Sequence, residues 1–355
     1  MRSYRDVTMM KHFIVMTGTS EQSGGGITSV IRLIKKMPVW EKYGIYWLET
    51  QADGNVIKKL WWVVKAAIKA PIVISKCKIV HFQMVPGITL LTQFPALLFA
   101  KLLGKKIVMT IHIGNQLEPY ANDRIFKWWL SKSDLILLLA KRWKILFKES
   151  YLDVKVESDV LYNACEVRQY IPISEKKKII LFAGTHDSNK APDLLLNAWK
   201  LLKDKYPDWH VVFCGNGDVE HYQRMAEDLD LKECVEFRGY VVGKEKESLF
   251  RDTSILCLCS YMEGFPMAVL EAWSNSIAVV TTPVGGLPDV IDEGRNCLTF
   301  PKGDFQTLAN RLKVCIEDDD LRRNIAAEGH RMAINNFSVD AISRKLDNIY
   351  RNLLD

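Results

Sequence analysis

Short apolar runs recur along the whole chain, each followed by a longer stretch whose apolar positions return every three or four residues. In the first half the runs are His12 to Met16, Gly44 to Leu48, Ile79 to Phe82, Lys106 to Ile111 and Leu135 to Leu139, with a shorter one at Val160 to Tyr162. In the second half they are Ile179 to Phe182, Trp209 to Cys214, Val235 to Phe237, Ser254 to Cys259, Ala278 to Thr281 and Cys297 to Phe300. Strands of this length alternate with helical stretches such as Ile27 to Met37 and Ala191 to Leu202, which predicts an α/β chain on parallel sheets. A chain of 355 residues divides into about two domains. The pattern restarts after Glu166 to Lys178, where Pro172 and the charged run Glu175-Lys176-Lys177-Lys178 predict a linker. The expected domains are therefore 1–165 and 166–338. A final helix over 339–355, capped at Ser338, carries Ile342, Leu346, Ile349 and Leu353 on one apolar face.

Composition is that of a globular protein, 48% hydrophobic and 25% charged. From Ile79 to Ala100 there is no Lys, Arg, Asp or Glu, a length that could span a bilayer. Pro86-Gly87, Pro95 and the polar His81, Gln83, Thr89, Thr92 and Gln93 favour a strand, a loop and a buried helix ending near Leu103 instead. Met1 to Met10 carries Arg2, Arg5 and Asp6 without an apolar core, so no secretory signal is read and a cytoplasmic location is expected. Met10-Lys11-His12-Phe13 has the look of an alternative start. The eight cysteines are scattered without metal-ligand spacing and read as buried thiols of a reducing compartment. Charge changes the picture more. Residues 1–165 hold 24 basic and 12 acidic side chains, and the remainder 24 basic and 30 acidic. The basic first half points to an anionic ligand or surface.

Tyr261-Met262-Glu263-Gly264-Phe265-Pro266-Met267-Ala268-Val269-Leu270-Glu271 places two carboxylates eight apart, one in a loop and one inside a helix. Pro266 suits a first helical position, and Gly264 lets backbone approach a ligand just before the helix. Helix N-terminal amides bind phosphate, and Glu271 lies about 7.5 Å further along the axis, a reach that suits a ribose diol. Taken alone, the segment reads equally as an acidic helix start with a solvated glutamate.

The segment resembles the E-x7-E signature of retaining glycosyltransferases of family four, which have the GT-B fold of two facing Rossmann-like domains. Thr282-Pro283-Val284-Gly285-Gly286-Leu287-Pro288-Asp289-Val290-Ile291 is similar to that family's GG-x-P-E-x-I loop. The resemblance runs from Gly24-Gly25-Gly26 to the last helix and implies that this helix crosses back onto the first domain. It implies a nucleoside-diphosphate sugar held with its diphosphate on Lys190 and the Gly264-Phe265-Pro266 turn, its ribose on Glu271, and its sugar on Glu263. Arg238 falls in the loop that holds the base. Gly25 and Gly26 match the N-terminal glycine loop, and His112, in Thr110-Ile111-His112-Ile113-Gly114, matches T-x-H-G at a strand end. A strand-end histidine is by default structural, and His81 reads so. The family's G-R-x4-K becomes Gly184-Thr185-x4-Lys190, so threonine stands where an arginine would face the diphosphate.

No enzymic nucleophile is generally accepted for this family; the leaving phosphate is thought to deprotonate the acceptor. Nothing in the chain suggests a catalytic metal, and Asp318-Asp319-Asp320 reads as a polar linker. No nucleic-acid motif is present, and no cofactor is expected beyond the donor. The resulting expectation is a retaining, metal-independent transferase acting on a glycan or lipid-linked acceptor in bacterial surface polysaccharide assembly. The alternatives are a catalytically silent nucleotide-sugar-binding or scaffold protein, or another GT-B activity such as an epimerase. A helix over Val56 to Ala70 would set Lys58, Trp62, Lys65 and Lys69 within an arc of about 60°, with Lys141, Lys144 and Lys148 as a second stripe. An anionic membrane surface, at the inner face of the cell membrane, is the expected contact.

Overall fold

The computed structural model describes residues 14–52, 54–114 and 117–355. The chain divides into two compact units, one of residues through Ala164 together with Val339–Asp355, the other Cys165–Ser338.

The first unit runs β1 (Ile14–Thr19), α1 (Gly26–Lys35), α2 (Pro38–Lys42), β2 (Tyr46–Gln51), α3 (Val56–Lys76), β3 (Ile79–Met84), α4 (Ile88–Leu102), β4 (Lys106–Ile111), α5 (Arg124–Leu130), β5 (Leu135–Leu138), α6 (Lys141–Ser150) and β6 (Glu157–Val160). Its strands lie in the order β2-β1-β3-β4-β5-β6, all parallel. Burial explains the run-like sequence: β3 is covered on both faces, so all six of its residues are buried. The apolar pattern starts the first run at His12; His12 and Phe13 lie outside the described residues. The strand expected at Val160 to Tyr162 ends at Val160, because Leu161 N donates to Leu138 O and closes the ladder there.

The second unit runs β7 (Lys177–Ala183), α7 (Pro192–Lys200), β8 (His210–Cys214), α8 (Val219–Asp228), β9 (Val235–Phe237), α9 (Gly243–Asp252), β10 (Thr253–Leu258), α10 (Met267–Ser274), β11 (Ala278–Thr281), β12 (Leu298–Thr299), α11 (Phe305–Glu317) and α12 (Asp319–Met332). Strand order is β12-β11-β10-β7-β8-β9, again parallel. Phe182, Phe213 and Ile255 from the sheet bury against Trp199, Leu308 and Leu312 from α7 and α11.

The last helix, α13 (Val339–Leu354), packs on the first unit. Ile342, Leu346, Ile349 and Tyr350 join that unit's core beside Ile31 and Ile34. Val39 N donates to Ser343 Oγ at 3.2 Å, and Lys42 pairs with Asp347 at 2.6 Å.

Three readings need correction. The charged run taken as linker enters β7, and Lys176 is buried, donating to Arg251 O at 2.8 Å and Asn275 O at 2.9 Å. Burial brings its pKa down to about 8. Helix α3 does not stop at Ala70. It carries Pro71 internally and continues to Lys76, because Val73 and Ile74 beyond the proline are buried with Ala70. Helix α4 is buried on one side only. Gln93 anchors that side, accepting from Thr17 Oγ1 at 2.7 Å and donating to Gln83 O at 3.0 Å, whereas Leu91, Phe94, Leu98 and Leu102 point outward. No helix among the described residues is long and apolar enough to cross a membrane.

Candidate functional site

In the second sheet the first strand, β7, lies inside, flanked by β10 and β8. The chain leaves β7 towards β8 and leaves β10 towards β11, in opposite directions along the sheet, and in open parallel sheets such a switch point is where ligands bind, beyond the carboxyl ends of the strands. Two loops flank it: Gly184 to Lys190 after β7, and Cys259 to Pro266 after β10. Hydrogen bonds join them. Tyr261 N donates to Asn189 O at 2.8 Å, and Asn189 Nδ2 donates to Met262 O at 3.1 Å. This brings Lys190 onto Glu263, 73 residues away in sequence, in a close ion pair that Ser260 Oγ supports by donating to the same carboxylate oxygen at 2.7 Å. The side chains are 23% and 10% exposed, so the pair is sheltered yet still open to a ligand.

The glycine-rich loop after β11 holds this turn from the other side. Gly286 N donates to Gly264 O at 2.8 Å. Gly285, at φ +63°, packs so closely that an added Cβ would lie 2.8 Å from both the Cβ and the carbonyl oxygen of Glu263. Helix α10 then begins. Pro266 is its N-cap rather than its first residue, with extended ψ of 118°, and Phe265 is buried. No side chain caps this end, and the first-turn amides of a helix have no intrahelical partner.

Glu271, in the fifth position of α10, is not simply solvated. Lys246 of α9 reaches it at 2.7 Å. Lys246 was missed in the sequence because Gly243 to Asp252 reads as a polar surface helix. Arg238 folds back on its neighbour Glu236, at 2.8 and 3.0 Å, leaving the Gly239 carbonyl to accept from Gly215 N at 2.8 Å. Gly215-Asn216-Gly217 was also missed; a Gly-x-Gly directly after a strand was its signal. This turn braces the β7 loop: His186 N donates to Asn216 O at 2.6 Å and Asp218 N to His186 O at 2.9 Å. His186 is buried among Phe182, Phe213, Tyr222 and Phe237, and burial lowers its pKa. Thr185 is exposed, and Gly184 leaves room beside Lys190, whose chain would lie 3.7 Å from an added Cβ. Among the described residues no three His, Cys, Asp or Glu side chains are grouped to hold a metal ion, and Asp318 caps α12, accepting from Leu321 N at 2.8 Å.

The remaining candidates lie in the first unit. Gly25 is the N-cap of α1 at φ +95°, and a Cβ on Gly25 or Gly26 would meet nothing within 4 Å. His112 follows β4, its Nε2 2.6 Å from Gln83 Oε1. With the amide oxygen facing it, neutral His112 donates through Nε2 and keeps its lone pair on Nδ1. Gln83 Nε2 in turn approaches His81 Nε2 at 3.4 Å. His81 is wholly buried, held at 2.7 Å by both Thr110 Oγ1 and the Tyr350 hydroxyl of α13. Burial pulls the pKa of His81 down to about 3 and that of His112 to about 4.

A pH dependence follows from His81. Its folded pKa lies below the ordinary 6.5, so the unfolded chain binds the extra proton. Stability is complete above about pH 6.5 and is lost as pH falls towards 3, by up to about 1.4 kcal/mol per pH unit for one proton. Urea unfolding between pH 7.5 and 4.5 should show a shallower loss for His81→Gln than for wild type. Equal slopes would remove His81 as the cause.

The family model for glycosyl transferases group 1 matches residues 165–332. The second unit belongs to this family. The D-inositol 3-phosphate glycosyltransferase of Corynebacterium jeikeium is 31% identical over 194 residues, 52% of this chain and 46% of that protein. An α-1,4-N-acetyl-D-galactosaminyltransferase of Campylobacter jejuni, named for an undecaprenol-diphosphate-linked substrate, is 26% identical over 218 residues, 59% of this chain and 58% of its own. The chain spans about half the length of the curated relatives it matches. In fold it is similar to Anabaena HepE, solved with UDP-glucose, at a TM-score of 0.72 and 16% identity over 96% of this chain and 99% of that one. The group 1 fold is GT-B, with one parallel six-stranded sheet in each unit.

Proposed function

We propose that this protein is a retaining glycosyltransferase that moves a sugar from a nucleoside-diphosphate donor to a glycan or lipid-linked acceptor in surface polysaccharide synthesis, at the cytoplasmic side of the membrane. The observation that carries the reading is the meeting of Lys190 and Glu263 at the β7/β10 switch point, directly before α10. Such a place offers a cation and a helix N-terminus to a diphosphate leaving group. Lys190 takes the diphosphate, which releases Glu263 and the Gly264 turn to the sugar hydroxyls. Glu271 takes the ribose diol, oriented by Lys246, and the Arg238-Gly239 backbone faces the base. Gly25, Gly26 and His112 keep the roles that the resemblance implies. Support also comes from HepE, solved with a nucleotide sugar, and from the Campylobacter relative, named for a lipid-linked substrate. The donor is a co-substrate, and no further cofactor or metal is needed.

A second reading, a silent nucleotide-sugar-binding protein, is favoured by Thr185, since one cation fewer faces the diphosphate. Calorimetry and transfer assays with a panel of nucleoside-diphosphate sugars, with and without chelator, decide between them. Transfer that survives the chelator is the expected result; binding without transfer leaves the silent reading. Thr185→Arg, at an exposed position with room for the side chain, should tighten donor binding severalfold and weaken in that gain as salt rises. Weaker binding would mean that another base already occupies the place.

A further inference from the structure

Sequence alone placed a basic stripe with Trp62 outward on α3. The structure turns the helix differently. Trp62 is half-buried with Lys65 Nζ 3.8 Å over its ring, Lys144 of the second stripe is drawn to Asp159 at 3.5 Å, and the Lys58 side chain lies outside the described residues. What faces out on α3 is an apolar ridge of Trp61, Val64, Ile68 and Ile72, of which Trp61 and Ile68 are 63% and 65% exposed. Helix α4 packs beside α3 and repeats the same spacing with Leu91, Phe94, Leu98 and Leu102; Leu91 and Leu102 are 71% and 70% exposed. Phe94 then touches Trp128 of α5, ring centroids 6.4 Å apart, and Ile125 and Trp128 continue the surface outward. Two parallel ridges joined to a third helix make a contiguous apolar face of a kind that soluble monomers rarely leave open.

We propose that the α3–α4–α5 face docks the first unit on an anionic lipid bilayer, lying along the surface without spanning it. Charge selects this occupant. Lys65, Lys69, Lys76, Lys101 and Arg124 edge the ridges; the three helices contain no Asp or Glu, and among the described residues these five cations form no ion pair, whereas Lys127 of α5 pairs with Asp153 at 2.9 Å. A second copy set two-fold on this face would bring the lysines of α3 and α4 against each other, and neither helix carries an acid to neutralise them. The cores of protein interfaces are depleted in lysine. A bilayer surface, in contrast, takes apolar ridges among acyl chains, seats Trp61 and Trp128 at headgroup depth, and lets long lysine side chains reach lipid phosphates. The contact rests on the transferase reading only for its purpose, which is to bring the enzyme to a lipid-linked acceptor.

The test uses the whole chain and no donor. Flotation with vesicles of phosphatidylcholine mixed with phosphatidylglycerol should carry the protein, and phosphatidylcholine alone should carry much less. Ile68→Asp and Leu98→Asp change exposed positions, and each should lower binding to the mixed vesicles about tenfold, given the transfer free energy of one such side chain. Thermal unfolding checks that both variants fold. Absence of binding to mixed vesicles at low salt overturns the proposal, as does undiminished binding by the double variant. A wild-type dimer in sedimentation that Ile68→Asp dissociates, with no vesicle binding, would assign the face to a second copy instead. Donor calorimetry on the same variants should be unchanged, so a failed docking surface and a failed transferase reading give different results.

Discussion

Lys190→Ala is expected to weaken donor binding tenfold or more, for the loss of about 1.5–3 kcal/mol in charged hydrogen bonds, and to lower transfer by about 10²–10³. The effect should exceed that of Glu271→Ala because of what Lys190 leaves behind. Its Nζ sits on Glu263, and the other partner of that carboxylate oxygen is the Ser260 hydroxyl. Without the lysine, a sheltered carboxylate faces the place proposed for a diphosphate, so the variant loses an attraction and gains a repulsion. Glu271 loses less, since Lys246 stays beside the site when it is removed. The double variant Lys190→Ala/Glu263→Gln separates the two terms. It should recover part of the nucleotide affinity lost by Lys190→Ala while remaining inactive in transfer. Calorimetry with the nucleoside diphosphate reads the first quantity and a transfer assay the second. If Lys190→Ala binds as wild type does, or the double variant binds no better than the single one, the diphosphate does not lie on this pair.

The sequence carried the fold in its period. Runs such as Ala278 to Thr281 and Lys106 to Ile111 coincide with β11 and β4, because a strand covered on both faces must be apolar throughout and has sharp ends. Boundaries failed where polar side chains were satisfied locally. Lys176 reads as solvated linker, yet two backbone carbonyls accept its hydrogen bonds at 2.8 and 2.9 Å inside the unit. Helix α4 reads as buried because an outward-facing apolar ridge and a core-facing ridge have the same composition; only three dimensions tell Leu91 from Leu90, which is 5% exposed.

The candidate site was legible where chemistry is written in one stretch. Glu263, Gly264, Pro266 and Glu271 fall on one loop and helix. The partners that complete their surroundings come from distant segments. Lys246 lies 25 residues before Glu271 on another helix, and Lys190 lies 73 before Glu263. Neither pairing follows from spacing, because the first depends on α9 and α10, on either side of β10, coming together and the second on β7 and β10 being neighbours in the sheet. The bracing glycines are a further case, since their requirement is set by what lies across from them.

Gly215→Ala is expected to give the largest loss of stability of any single methyl added to the second unit. Its φ of +144° is a conformation that L residues rarely adopt, costing about 1–3 kcal/mol. An added Cβ would also lie 1.8 Å from the Gly184 carbonyl oxygen, which is backbone and cannot rotate away; overpacking of this kind adds about 1–3 kcal/mol or more. Relief requires parting the Gly215 turn from the β7 loop, and with it the bonds between His186 and Asn216. Gly285→Ala should behave differently. Its φ of +63° is the left-handed well, costing about 1–2 kcal/mol, and its new methyl presses on Glu263 and Gly264 rather than on the sheet. That variant should stay folded and lose transfer. Gly294→Ala, at φ +74° with nothing within 4 Å, is the control for backbone cost alone. Urea unfolding and transfer assays on the three variants check the order. Gly215→Ala should unfold at the lowest urea concentration, and Gly285→Ala should fall between it and Gly294→Ala in stability while losing the transfer that Gly294→Ala keeps. Equal stability of all three would show that the contact between the Gly215 turn and the β7 loop does not hold the switch point together.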